Sequence, residues 1–200
     1  SCCDLLYKKG AKALLIACNT ATSAAIHAMR EKYQMPVVSM EPAIKPANES
    51  DKPGKILVMA TRVTLASERY ARLVDRVGCA DRLIDVPCGG LADLLEKGDF
   101  QSPEVDAYLR GKLAPFAGQE ISGIVIGCTH YSFVAERIQQ IARALLRGAC
   151  DLYDGMYGTV QHLKDLLQQQ ELDSRTPGGN VQLFASGDPE HLEVMKKILD

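Results

Sequence analysis

The sequence predicts an α/β protein made of two doubly wound parallel-sheet domains, with the active site in the cleft between them. Three observations lead there. Short apolar runs alternate with segments of helical period along the whole chain, which is the signature of parallel strands covered by crossover helices. Two of those runs end alike, on a cysteine followed by small polar residues: "LLIACNTATSAAI" at 14–26 and "IVIGCTHYSF" at 124–133. Between the first two strands and the next lies "EPAIKPANESDKPGK" (41–55), which reads as a helical turn plus a linker.

The strand candidates are "ALLIA" (13–17), "PVVSM" (36–40), "KILVMA" (55–60), "RLIDV" (82–86), "GIVIG" (123–127), "DLY" (151–153) and "VQLFA" (181–185). Helical stripes fall between them. Tyr70, Leu73, Val74 and Val77 form one, Val134, Ile138, Ile141 and Leu145 another, and Leu192, Met195 and Leu199 a third. Packing against a sheet accounts for all three stripes. A second transition near "RGACDLYDGMYG" (147–158) suggests an inserted unit. The expected division is therefore 1–42 with 151–200 as the first domain and 43–150 as the second. "DSRTPGGN" (173–180) reads as a loop.

Composition narrows the function. The apolar fraction is 46%, the charged fraction 24% and the net charge −2. Nothing there favours nucleic acid or an anionic membrane, no run reaches the length of a membrane helix, and the start has no export pattern. Seven cysteines without a C-x-x-C pair fit reduced thiols in the cytoplasm. No phosphate-binding glycine motif occurs. Cys18, Cys128 and His130 lack the paired spacing of structural zinc sites, so no metal and no cofactor are expected.

The two cysteine junctions carry the chemistry. In parallel sheets ligands bind beyond the carboxyl ends of strands, where the next helices begin. A helix start offers free N–H groups and partial positive charge, which favour thiolate and a bound carboxylate. Asn19, Thr20 and Thr129 add an amide and hydroxyls there. Buried cysteine and ordinary helix capping would explain either junction alone. Two such junctions, 110 positions apart and one in each domain, would face each other across a cleft. Two facing thiols suit inversion of a proton-bearing stereocentre, one removing the proton and the other delivering it. His130 could hydrogen-bond Cys128 or protonate a neighbouring group.

"ACNTA" (17–21) and "GCTHY" (127–131) resemble the catalytic cysteine motifs of the bacterial glutamate racemases, within the aspartate/glutamate racemase family. "ATRVTLASERY" (60–70), "PCGGLADLLEKG" (87–98) and "LFASGD" (183–188) extend the resemblance along nearly the whole chain. It implies a cofactor-independent, two-base racemase that supplies D-glutamate for peptidoglycan. Cys18 and Cys128 become proton donor and acceptor, with His130 the partner of Cys128. Asn19, Thr20 and Thr129 become contacts of the substrate carboxylate and amine, and Thr61 and Thr64 border the cleft. The histidine at 130 favours glutamate over aspartate, whose racemases usually carry an acidic residue there. Glutamate is the expected small-molecule partner, with neither nucleic acid nor membrane, and a homodimer is left open.

Glu96 is a candidate for a supporting role behind the site, though solvation of a helix residue explains it more simply; Cys88, before Gly89 and Gly90, could react but reads as structural, and His27, His162 and His191 read as surface or packing residues. Cys2, Cys3, Cys79 and Cys150 read as ordinary thiols. The family's Asp-Ser-Gly loop and Pro-Tyr-Gly turn are absent from the sequence, and Ser132 replaces a proline common after "GCTHY". The expectation is thus a first domain lacking its front βαβ segment, with an exposed apolar edge that favours association. Three alternatives remain: a related amino-acid racemase, a decarboxylase using one cysteine, and an inactive fragment that only binds a carboxylate.

Overall fold

In the computed structural model the described residues are 1–173, 178–187, 192, 193 and 196. The chain opens with α1 (Cys2–Lys8), held at its start by a reciprocal cap between Ser1 and Asp4. Strand β1 (Leu14–Ile16) then leads into α2 (Asn19–Lys32), and β2 (Val37–Ser39) pairs parallel to β1 with Leu14 opposite Val37. Leu14, Ile26, Tyr33 and Val37 bury together as the core of this first unit.

After α3 (Ile44–Asn48) the chain builds a second, larger unit. Its strands are β3 (Lys55–Ala60), β4 (Leu83–Pro87), β5 (Ile121–Ile126) and β6 (Asp151–Asp154). They form a four-stranded sheet in the order β4-β3-β5-β6, all parallel. The connecting helices are α4 (Arg62–Leu65), α5 (Glu68–Val77), α6 (Leu91–Leu95), α7 (Pro103–Leu113) and α8 (Ala135–Leu145). Every residue of β5 is buried, as are all of β3 but Lys55. That explains their unbroken apolar runs, because a central parallel strand faces a covering layer on both sides. Leu91, Leu109 and Ile138 belong to the core on one face of the sheet, and Ile44, Tyr70 and Leu73 to the core on the other.

The first two helical stripes do what their spacing predicts. Tyr70 and Leu73 of α5 are buried with Val74 and Val77 packed beside them, and Ile138 and Ile141 anchor α8. Capping fixes the ends: the Ser67 side chain accepts from the Tyr70 N–H, and Gly78 closes α5 in the left-handed conformation at φ 68°. In the third stripe only Leu192 falls within the described residues; Met195 and Leu199 lie outside them.

Two expectations differ from the structure. Residues 181–185 form no strand; Val181 is exposed, and Phe184 lies under the Lys9 ammonium, 4.6 Å from its ring centre. An apolar run is a strand only where an edge accepts its hydrogen bonds, and sequence pattern does not report that edge. Residues 151–154, expected with the first unit, instead hydrogen-bond along β5 in the second. The preceding segment dictates this: Arg147 N–H donates to Gln119 O (2.8 Å) and Cys150 N–H to Ile121 O (3.1 Å), which delivers the chain beside β5. The return to the first unit comes with α9 (Met156–Gln169), which packs on β2.

A candidate active site at the carboxyl ends of the strands

Because β1, β3, β4 and β5 run into their following helices at the same edge, the residues just past them can converge. Cys18 follows β1 and caps α2, its sulfur accepting from the Ala21 N–H at 3.4 Å. Thr61 follows β3 and caps α4 in the same way, accepting from the Thr64 N–H at 3.1 Å. Cys128 follows β5 and opens a 3-10 turn, Thr129–Val134. Gly127, just before it, has to be glycine: a Cβ there would stand 2.6 Å from the Cβ of Ala60.

Direct bonds join the two units at this edge. Asn19, buried, donates from Nδ2 to Gly127 O at 2.9 Å. The residue after one cysteine thus touches the residue before the other. The Thr20 hydroxyl lies 3.0 Å from that of Thr61 and 3.2 Å from that of Thr64, and Thr61 donates to Thr64 at 3.0 Å. One turn further along α2, Ser23 donates to Ser67 at 3.3 Å. Asn19 Oδ1 is buried without a hydrogen-bond partner among the described residues, which leaves an acceptor open at the seam.

The two thiols differ in setting. Cys18 is exposed. Cys128 is buried, and that burial pushes its thiol above the ordinary cysteine range. The backbone N–H groups of His130 and Tyr131 work against this, while charge on Cys18 or Glu96 adds to it. His130 stands with Nδ1 3.9 Å from Cys128 Sγ and Nε2 3.1 Å from Glu96 Oε1. That contact favours the supporting role for Glu96 over solvation alone. A glutamate on a short helix carries no sequence signal for a partner 34 positions away; only the packing of α6 against the turn reveals it.

Of the other expected site residues, Thr129 is half-buried at the start of the turn and makes no side-chain hydrogen bond among the described residues. Thr64 is buried beneath Thr20 and Thr61. Cys88 is buried after β4 with its thiol pushed up to about 12 by desolvation, a setting for packing and not for attack. His27 and His162 are exposed, and His191 lies outside the described residues. Among the described residues no three His, Cys, Asp or Glu side chains are grouped to hold a metal ion, and no helix is long and apolar enough to cross a membrane.

Comparison with known proteins gives a consistent answer. Residues 1–163 match the family described as Asp/Glu/Hydantoin racemase. A glutamate racemase of Clostridium perfringens is 44% identical over 200 aligned residues, covering 98% of this chain and 75% of that protein. A glutamate racemase of Clostridium botulinum is 40% identical over 184, covering 92% and 70%. Among solved structures, a glutamate racemase isoform of Bacillus anthracis superposes with a TM-score of 0.80 at 23% identity, covering 99% of this chain and 73% of that one.

Proposed function

The chain belongs to the Asp/Glu/Hydantoin racemase family, and on that premise we propose the residues by which it works. The enzyme is a glutamate racemase, an isomerase that interconverts L- and D-glutamate; D-glutamate is the enantiomer used in peptidoglycan. In our reading Cys18 and Cys128 are its two bases. Either takes the α-proton from the enantiomer bound facing it, and the other, holding a proton, delivers one to the opposite face. The reverse reaction exchanges the roles.

What supports this assignment is the 2.9 Å bond from Asn19 to Gly127, which ties the neighbours of the two cysteines together across the seam. The remaining side chains take roles that their chemistry allows. The N–H groups opening α2 and the hydroxyls of Thr20 and Thr61 suit the α-carboxylate, where negative charge accumulates as the proton leaves. Thr64 holds those hydroxyls from beneath. Thr129 contacts the substrate from the other unit, and the open acceptor Asn19 Oδ1 receives its ammonium group. His130, steadied by Glu96, holds or returns the Cys128 proton. A cytoplasmic location fits the seven free cysteines. A homodimer is the assembly to test by light scattering.

Proton exchange tests the reading. Each enantiomer of glutamate is incubated with the protein in deuterated buffer and its α-hydrogen followed by NMR. Loss of signal from both is expected, with Cys18→Ala and Cys128→Ala each abolishing it for the enantiomer whose proton the missing thiol removes. Loss from both enantiomers that survives removal of one thiol would sink the two-base assignment.

A further inference from the structure

The 3-10 turn that carries Cys128 and His130 has no side-chain cap at its start, so other contacts must fix where those two side chains stand. On one side Tyr131 donates its hydroxyl to Cys88 O at 2.7 Å, tying the turn to the loop after β4. On the other side Ser132 Oγ donates to Asp154 Oδ2. Asp154 ends β6, and its second oxygen accepts the Met156 N–H at 2.9 Å, the first residue of α9. Gly155 lies between them, packed so tightly that a Cβ there would stand 2.4 Å from Glu41 O. Glu41 lies on the outgoing connection between the units and bridges Arg69 and Arg76 of α5, each at 2.7 Å. The outgoing and returning connections therefore touch at Glu41 and Gly155, and Asp154 stands beside that contact.

We propose that the Ser132–Asp154 hydrogen bond is a positioning link, setting the Cys128–His130 turn against the two connections that join the units. Neither residue touches the reacting atoms. Ser132 acts through the turn it belongs to, four residues past Cys128, and Asp154 supplies the fixed point. Released from Asp154, the turn keeps its tie to Cys88 but can rotate about it. That misplaces Cys128 relative to the α-carbon while leaving Cys18 where α2 holds it. Proton transfer degrades sharply with such displacement.

The inference rests on the racemase reading, and the test separates the two. Ser132→Ala is compared with wild type, with Ser132→Thr, which restores the hydroxyl, and with Ser132→Cys, a weaker donor of similar size. The equilibrium constant between enantiomers is one, so kcat/KM must fall equally in both directions, by about ten-fold for Ser132→Ala. The informative readout is the isotope effect with α-deuterated L- and D-glutamate. If only the Cys128 transfer is slowed, the effect rises for the enantiomer whose proton Cys128 removes and falls for the other. Ser132→Thr should restore both values, and Ser132→Cys should lie between. A loss of activity with both isotope effects unchanged, or moving together, would mean a general structural role and overturn the proposal. So would unchanged activity in a folded Ser132→Ala. Absence of racemisation by wild type would sink the racemase reading itself, and this inference with it.

Discussion

Cys18 caps a regular helix of 14 residues and stands exposed at its start, whereas Cys128 is 8% exposed and opens a 3-10 turn of 6. In sequence the two junctions are near-echoes; in the folded chain they are different devices. The Cys18 sulfur has the N–H groups of a long helix beside it and open access to water. Cys128 sits where its thiolate is disfavoured by burial, and His130, which Glu96 holds, stands beside it. In the proposed reaction the two bases need not be identical. Solvation can support one, and a fixed hydrogen-bonded partner the other.

The most severe way to break the comparison is to remove each thiol. Cys18→Ser and Cys128→Ser should each lower racemisation by about a thousand-fold or more, since a positioned acid or base contributes that order of rate. Circular dichroism of the glutamate solution follows it. Each variant should still exchange the α-proton of the enantiomer that faces its surviving cysteine. A serine variant that racemises at the wild-type rate would show that its half of the site is not used.

Next in size are changes confined to the Cys128 side. His130→Asn is expected to cost about a hundred-fold in kcat, and Glu96→Gln about ten-fold, because in the proposed roles the first removes the proton carrier and the second only its support. The same asymmetry should be readable without turnover. Burial raises the Cys128 pKa, so at neutral pH that sulfur keeps its proton. Its alkylation by iodoacetamide should therefore climb only as pH passes above the ordinary thiol range. Peptide mapping that found Cys128 labelled before Cys18 at neutral pH would contradict the contrast in their settings.

How much of this was legible in the residues themselves follows from the kind of signal each part leaves. β3 and β5 announced themselves, because central parallel strands are apolar on both faces. The place of the two cysteines and their polar neighbours at strand ends was also readable, since the apolar runs stop there and helical turns begin. β6 was recognised as a strand but expected in the other unit, because its placement depends on hydrogen bonds made by Arg147 and Cys150 to the start of β5. The run at 181–185 had strand composition without an edge to pair with. The Glu96–His130 pair and the Ser132–Asp154 bond left no trace either, as both join residues more than 20 positions apart through side chains that are ordinary surface types.

The smallest effects expected lie at the residue before each cysteine, where the two motifs differ most plainly: Ala17 in one and Gly127 in the other. Gly127 lets β5 pass close to β3, and its N–H donates to Met59 O at 2.8 Å. In Gly127→Ala the new methyl would meet the Ala60 Cβ at 2.6 Å and Met59 O at 3.0 Å, so the strands have to part. Overpacking of this kind costs about 1–3 kcal/mol, and thermal unfolding should shift down by roughly 5 °C. The carbonyl that accepts from Asn19 moves with it, so activity should fall further than stability alone requires. Ala17 is exposed, with no such neighbour to answer to. Ala17→Gly adds only freedom to the unfolded chain and should cost less than about 1 kcal/mol. Equal losses at the two positions would mean that the seam at Gly127 is looser than its contacts indicate, and that the two halves of the site are more alike than their burial suggests.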